Sequence, residues 1–249
     1  MSALRARCPV CRTLTAVAVG DDYQCHSCGR EFAAGLVRVP RAWGSGGEAM
    51  ADAASLELPW PEASVVEEQT LDDQVEAMGR ALPRRPLVLG GCCCSHVGAV
   101  RELARRHGRL GVVWIDAHGD LNTPESSPSG NAWGMPLRML IDAGDVAPSD
   151  VVLVGARNLD PPEEEFIAEA GIRRELGELP ERLYVALDCD VIRPGGLDVF
   201  MPEPGGPSVD ELEELLASLP RPLGAGLTGL LRTERNEAVL PRLGAALGL

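Results

Sequence analysis

Asp116, His118 and Asp120 sit at alternate positions where an apolar run ends, in the segment WIDAHGD. In an extended chain alternate side chains point the same way, so two carboxylates and an imidazole converge on one point. A polar strand end with a capping aspartate is the plainer reading of the same residues. A second pair decides between them: Asp188 and Asp190, in YVALDCDVIRPGG, also close an apolar run with both side chains on one face. Five such ligands exceed what one ion takes. They suit two ions roughly 3.5 Å apart that activate water for attack on an electrophile. Hard, mixed oxygen and nitrogen donors favour manganese or a similar first-row ion.

These residues can meet only if the two apolar runs are strands of one parallel sheet, whose C-terminal ends share an edge. The rest of the chain supplies that sheet. Apolar segments at 36–39, 86–89, 110–115, 151–154, 183–187 and 222–231 read as strands. Helical patterns fall between or after them at 71–82, 95–107, 134–143, 162–170 and 208–216, with Asp160 and Ser208 as openers and Asn236 as the cap of a last helix. Strands separated by amphipathic helices imply a parallel sheet covered on both faces.

The eight cysteines fall in three groups. Cys8 and Cys11, then Cys25 and Cys28, form two CxxC knuckles separated by thirteen residues. Four thiolates so spaced suit a structural zinc in a small ribbon over 1–34. A module that short lacks a sufficient core, so the metal would supply folding free energy. Nucleic-acid contact, partner docking and a pure folding role are all open for it. Cys92, Cys93 and Cys94 are consecutive, and Cys189 stands alone.

Composition sets outer limits. A chain of 249 residues holds one large α/β domain or two smaller ones. No apolar run approaches the roughly 18 residues of a membrane span, and MSALRARCPVC has no apolar leader, so a cytoplasmic protein is expected. The net charge of −14 argues against coating nucleic acid. All 23 basic residues are arginine, which excludes Schiff-base lysine chemistry and a P-loop lysine.

DAHGD, the SGN at 129–131, LDCD and the EPGG that follows resemble the ureohydrolase superfamily of arginases, agmatinases and formimidoylglutamases, over roughly 35–249. The resemblance implies a three-layer α/β/α fold related to the histone deacetylases. It also implies hydrolysis of guanidine or amidine C–N bonds by a dimanganese-activated hydroxide, in a homo-oligomer, usually a trimer or hexamer. Asp116 and Asp188 would bridge the ions. His118 and Asp190 would complete one site, while Asp120 would belong to the other and accept a hydrogen bond from the hydroxide. The family's GGDHS or GGDCS falls on 90–94, so its histidine ligand maps to Cys93, with VGAVREL continuing in register. His96 is the other possible donor. A thiolate ligand would move preference toward zinc or iron. Equally, three adjacent cysteines at a helix start can be small core residues beside a single ion.

Asn122, Ser129 and Asn131 fall where arginases hold the substrate carboxylate, and Asp160 and Glu163 where the α-amino group is met. Without that role Asn122 and Ser129 are turn formers and Asp160 a helix N-cap. Two departures stand out. SGNAWG puts Trp133 where arginases carry a proton-shuttling histidine; its ring cannot move a proton but can stack on a planar cation. No glutamate lies in register within 226–233 to grip a guanidinium, and Glu234 comes late. The first expectation is therefore a C–N hydrolase acting on an amidino or guanidino compound with an amino-acid head. A degenerate, ligand-binding relative that docks a partner through the ribbon is the second. A one-metal deacetylase-like amidohydrolase using Asp116, His118 and Asp188 is the third.

Overall fold

The computed structural model describes residues 5–20, 22–33 and 35–249. The first segments form a four-stranded antiparallel meander of β1 (Arg5–Ala6), β2 (Ala16–Val19), β3 (Asp22–Cys25) and β4 (Glu31–Ala33). The expected boundary between 34 and 35, like residues 1–4, lies outside the described residues.

The body is a seven-stranded sheet in the order β6-β5-β7-β11-β10-β8-β9. Its strands are β5 (Leu36–Val39), β6 (Glu62–Val65), β7 (Leu87–Gly90), β8 (Gly111–Ile115), β9 (Val151–Val154), β10 (Leu183–Asp188) and β11 (Gly224–Thr228). All its pairings are parallel. The four central strands bury every residue, as a sheet covered on both faces requires. Alternation along β8 splits the core. Val112 and Trp114 join a cluster with Met78, Val100 and Leu140, from α2 (Leu71–Ala81), α3 (Ser95–His107) and α4 (Pro136–Asp142). Val113 and Ile115 join Leu212, Leu216, Leu240 and Leu243, from α6 (Val209–Ser218) and α7 (Glu234–Ala246). The result is the three-layer α/β/α architecture that the sequence implies. Two more helices among the described residues are α1 (Glu48–Asp52) and α5 (Pro161–Ala170).

The antiparallel meander does not stand apart. Its Ala6, Cys8, Ala16, Tyr23 and Phe32 belong to the same buried cluster as Trp60 and the inner face of α7. Arg12 and Arg30 donate to the carbonyls of Glu237 and Ala245, and Arg85 pairs with Asp22 at 3.0 Å.

Three expected boundaries shift for local reasons. The last strand is five residues, not ten, because Gly229 turns the chain at φ +71°. The helix expected over 134–143 begins at Pro136, after a single 3-10 turn at Ala132–Gly134. Thr233, not Asn236, caps α7; the Thr233 hydroxyl accepts the Asn236 N–H, and the Asn236 amide instead binds the Asp198 and Leu231 carbonyls. The capping boxes at Asp160/Glu163 and Ser208/Glu211 open α5 and α6. No helix among the described residues is long and apolar enough to cross a membrane.

Candidate metal centre

Strands β7, β11, β10 and β8 are neighbours, and their C-terminal ends deliver Cys93, Thr228, Asp188 and Asp116 to one edge. There they floor a cavity of about 320 Å³. Asp116 follows β8 directly, and its Oδ1 accepts the N–H of His118 at 2.7 Å while Oδ2 takes the Trp114 indole N–H at 3.3 Å. His118 turns its Nδ1 toward Asp190 Oδ2 at 3.0 Å and Asp116 Oδ1 at 3.4 Å. Asp190 sits in a 3-10 turn after β10, where its N–H donates to the capping Asp188 Oδ1 at 3.0 Å and its own Oδ1 accepts the Ala117 N–H at 3.2 Å. Asp188 Oδ2 accepts from the Cys93 thiol at 2.8 Å and from Thr228 Oγ1 at 3.2 Å. Gly229 makes room for that carboxylate, since a side chain there would collide with it.

Two donor groups result. Asp116, His118 and Asp190 form one, and Cys93, Asp116 and Asp120 the other; within each, one donor atom per residue lies within 4.8 Å of the rest. Asp116 belongs to both. The electrostatics call for positive charge. Burial, then Asp190, pushes the Asp188 carboxyl up to about 7, and burial, then Asp116, pushes Asp190 up to about 6. Burial and the neighbouring carboxylates raise Asp116 and, much further, Asp120. Burial opposes charge on His118, yet Asp116 and Asp190 outweigh it and push its pKa up to about 12. Four buried carboxylates face a single imidazole, and Asp120 Oδ2 is buried with no hydrogen-bond partner. A divalent cation fits this set: it supplies the missing positive charge and a partner for the orphaned oxygen, on donors of the right chemistry.

The remaining expected residues divide. Asn122, Ser129, Asn131, Trp133, Asp160 and Glu163 all line the cavity. Several are held by their own neighbours. Asn122 donates to Asp160 Oδ2 at 2.8 Å and accepts from Ser126, and Asn131 Oδ1 accepts the Ser45 N–H. Both Glu163 oxygens are taken by backbone, the N–H groups of Leu121 and Asp160, each at 2.9 Å. Trp133 lies over Gly44, whose missing side chain leaves space for the ring, and meets Phe200 edge-on. With Met50 and Met201 these rings give the cavity one apolar wall. Glu234 is exposed at the start of α7 and is not among the lining residues.

His96 is not available to an ion. It is fully buried, with Nδ1 on the Tyr184 hydroxyl at 3.0 Å and Nε2 on Thr228 Oγ1 at 3.2 Å, and burial pulls its pKa down to about 3. Of the three adjacent cysteines only Cys93 reaches the carboxylates; Cys92 and Cys94 pack with Met50. Sequence reasoning assigned no role to Glu203, whose Oε1 lies 3.4 Å from His118 Nε2 and accepts from Asn158. Its signal is the EPGG stretch itself, pinned by Arg157 to the carbonyls of Glu203, Pro204 and Asp190. Outside the lining of this cavity, Cys8, Cys11, Cys25 and Cys28 gather their sulfurs, with Cys8–Cys28 at 3.7 Å and Cys11–Cys25 at 3.5 Å.

Comparison with known proteins identifies the family and the fold. An arginase from Staphylococcus aureus (strain COL) is 46% identical over 100 residues, covering 36% of this chain and 33% of that protein. The arginase of Bacillus caldovelox is 45% identical over 113 residues, covering 41% and 36%. The chain thus matches about a third of the length of these curated relatives. The crystal structure of arginase from Bacillus subtilis shares the fold, with a TM-score of 0.74 at 24% identity, over 86% of this chain and 97% of that one. The model of the arginase family matches residues 47–174, just over half of the sequence. The chain belongs to the arginase family.

Proposed function

We propose that the chain hydrolyses a C–N bond of a linear amidine or guanidino compound, with an amino-acid head group. The single observation behind this is Asp116, one carboxylate common to two adjacent donor groups on the floor of a substrate-sized cavity. Asp116 and Asp188 would bridge two divalent ions, with His118 and Asp190 on one side and Asp120 and Cys93 on the other. When bound, such ions supply Lewis-acid activation of water at neutral pH. Asp120, whose buried Oδ2 has no hydrogen-bond partner, would hold an ion and accept a hydrogen bond from the activated water. Trp133 cannot relay that proton; its ring face is the surface on which a planar cation stacks. Asn122, Ser129 and Asn131 would hold a carboxylate, and Asp160 and Glu163 an ammonium.

The four ribbon thiolates would hold a structural zinc. Tetrahedral Zn–S bonds of about 2.3 Å put sulfurs roughly 3.8 Å apart, close to the 3.7 and 3.5 Å found here. Residues 1–34 would then be a zinc ribbon on an arginase-like domain of 35–249. The activity is tested by incubating manganese- or cobalt-loaded protein with guanidino and amidine compounds and measuring ammonia and urea. Release by the native chain, lost in Asp116→Ala, is expected. Two bound ions with no release across the panel would refute the hydrolase and leave a ligand-binding relative.

A further inference from the structure

We infer that Cys93 is a thiolate ligand of this centre, so that the inner position shared with Asp116 and Asp120 takes a thiophilic ion such as zinc, cobalt(II) or iron(II). The outer position, of Asp116, His118 and Asp190, keeps hard donors only and remains suited to manganese. This rests on the metal-centre reading above and adds which ion each position takes.

Four observations carry it. The Cys93 sulfur lies 2.8 Å from Asp188 Oδ2, 3.8 Å from Asp116 Oδ2 and 3.3 Å from Thr228 Oγ1, so this residue at the border of the apolar core turns its sulfur to the carboxylate cluster. Asp120, 4% exposed, belongs to the same group of donors, and its Oδ2 is buried without a hydrogen-bond partner. The flanking Cys92 and Cys94 turn away: Cys92 accepts the Trp43 N–H and both pack against Met50, so a run of three small core residues does not account for the middle one. No imidazole competes, because both His96 nitrogens are engaged by hydroxyls. A sulfur in place of a nitrogen softens one position of the pair and leaves the other unchanged. On binding, the Cys93 S–H proton leaves to solvent, the sulfur lone pair forms the bond to the cation, and Asp188 Oδ2 loses the thiol hydrogen bond it accepted.

The test uses the full chain with its ribbon holding zinc, confirmed as one zinc per chain, and the centre loaded with cobalt. X-ray absorption at the cobalt edge reads only the centre. Two cobalt ions per chain, sharing a single sulfur neighbour at about 2.3 Å, is the expected result. Cys93→Ser should remove that sulfur. Cys93→His should remove it and move the inner position toward manganese over zinc in equimolar competition by about tenfold or more, since even changes to the partners of metal ligands alter affinity by that much. Cobalt bound with no sulfur neighbour in the native chain overturns the inference while leaving the metal centre in place. So does a single sulfur-free ion in the native chain that becomes two in Cys93→His. No cobalt in any of the three proteins overturns the centre itself. The spectrum of the native chain stands on its own should either variant fail to fold.

Discussion

Stripping the centre of ions should make the protein less stable as pH rises, and restoring them should cancel that slope. The Asp188 carboxyl is held up at about 7 by burial and Asp190, against 3.8 for a free side chain. Between those values the folded chain keeps a proton that the unfolded chain has released, so stability falls with rising pH. Asp190, raised to about 6, acts in the same sense. So does His118: its stabilisation as an imidazolium is complete below its ordinary value of 6.5 and is lost as pH climbs toward about 12. The carboxyls drawn below their usual range, Glu102 and Glu211, are largely ionised above pH 5 in both states and contribute little slope there. For Asp188 alone, the two units from pH 5 to 7 at about 1.4 kcal/mol each come to roughly 3 kcal/mol. In a chain of this size that is a fall in Tm of about 6–12 °C. The assay is thermal unfolding from pH 5 to 8 on zinc-ribbon protein, with the centre emptied by a chelator or saturated with manganese. Ion binding favours deprotonated ligands, so the loaded protein should hold or gain Tm over the same range. Parallel curves for the two forms, or a Tm of the emptied form that rises from pH 5 to 7, would refute the reading of these carboxylates as a cation site.

Three further outcomes follow from particular contacts. Gly229→Ala, at φ +71° and against the Asp188 carboxylate, should lower stability by about 1 kcal/mol or more and reduce ion occupancy, counted by elemental analysis. Glu102 accepts hydrogen bonds from Arg105 and Arg106, and this draws its carboxyl down to about 2; that stability is present above 4.5 and lost as pH falls through about 2. Urea midpoints should therefore fall from pH 5 to 2.5 in the native protein and change less in Glu102→Gln. Because Tyr23 and Phe32 share a buried cluster with α7, Cys25→Ser should lower one calorimetric transition rather than abolish a separate small one; two resolved transitions in the native chain would contradict this.

The parts of this fold that were legible in the sequence are those fixed by local rules. Helix α3 was read over its full length from its apolar spacing, and the α5 and α6 starts from Asp160 and Ser208. The central strands were plain because burial on both faces makes them continuously apolar. Strand β6, with its mostly exposed Glu62–Val65, has no such signature and was missed. At the site, paired carboxylates after apolar runs were legible because the alternation along each strand sets their direction. Glu203 was not, because its approach to His118 depends on a loop held by Arg157 through backbone carbonyls. Nor could spacing decide between Cys93 and His96. The difference is three residues in a helix start, and only packing shows that one faces carboxylates and the other two hydroxyls.

Asp120 has φ +55°, a left-handed conformation that costs a residue with a side chain roughly 1–2 kcal/mol. Glycine at 120 would be free of that cost and would also remove a buried carboxylate with an unanswered oxygen. One substitution away there should thus be a protein that, without ions, melts higher than the native chain and binds them worse. A search for heat-resistant variants scored on folding alone would find Asp120→Gly early and discard the centre with it. Stability and chemistry pull this single backbone position in opposite directions, and aspartate there marks which of the two the sequence serves.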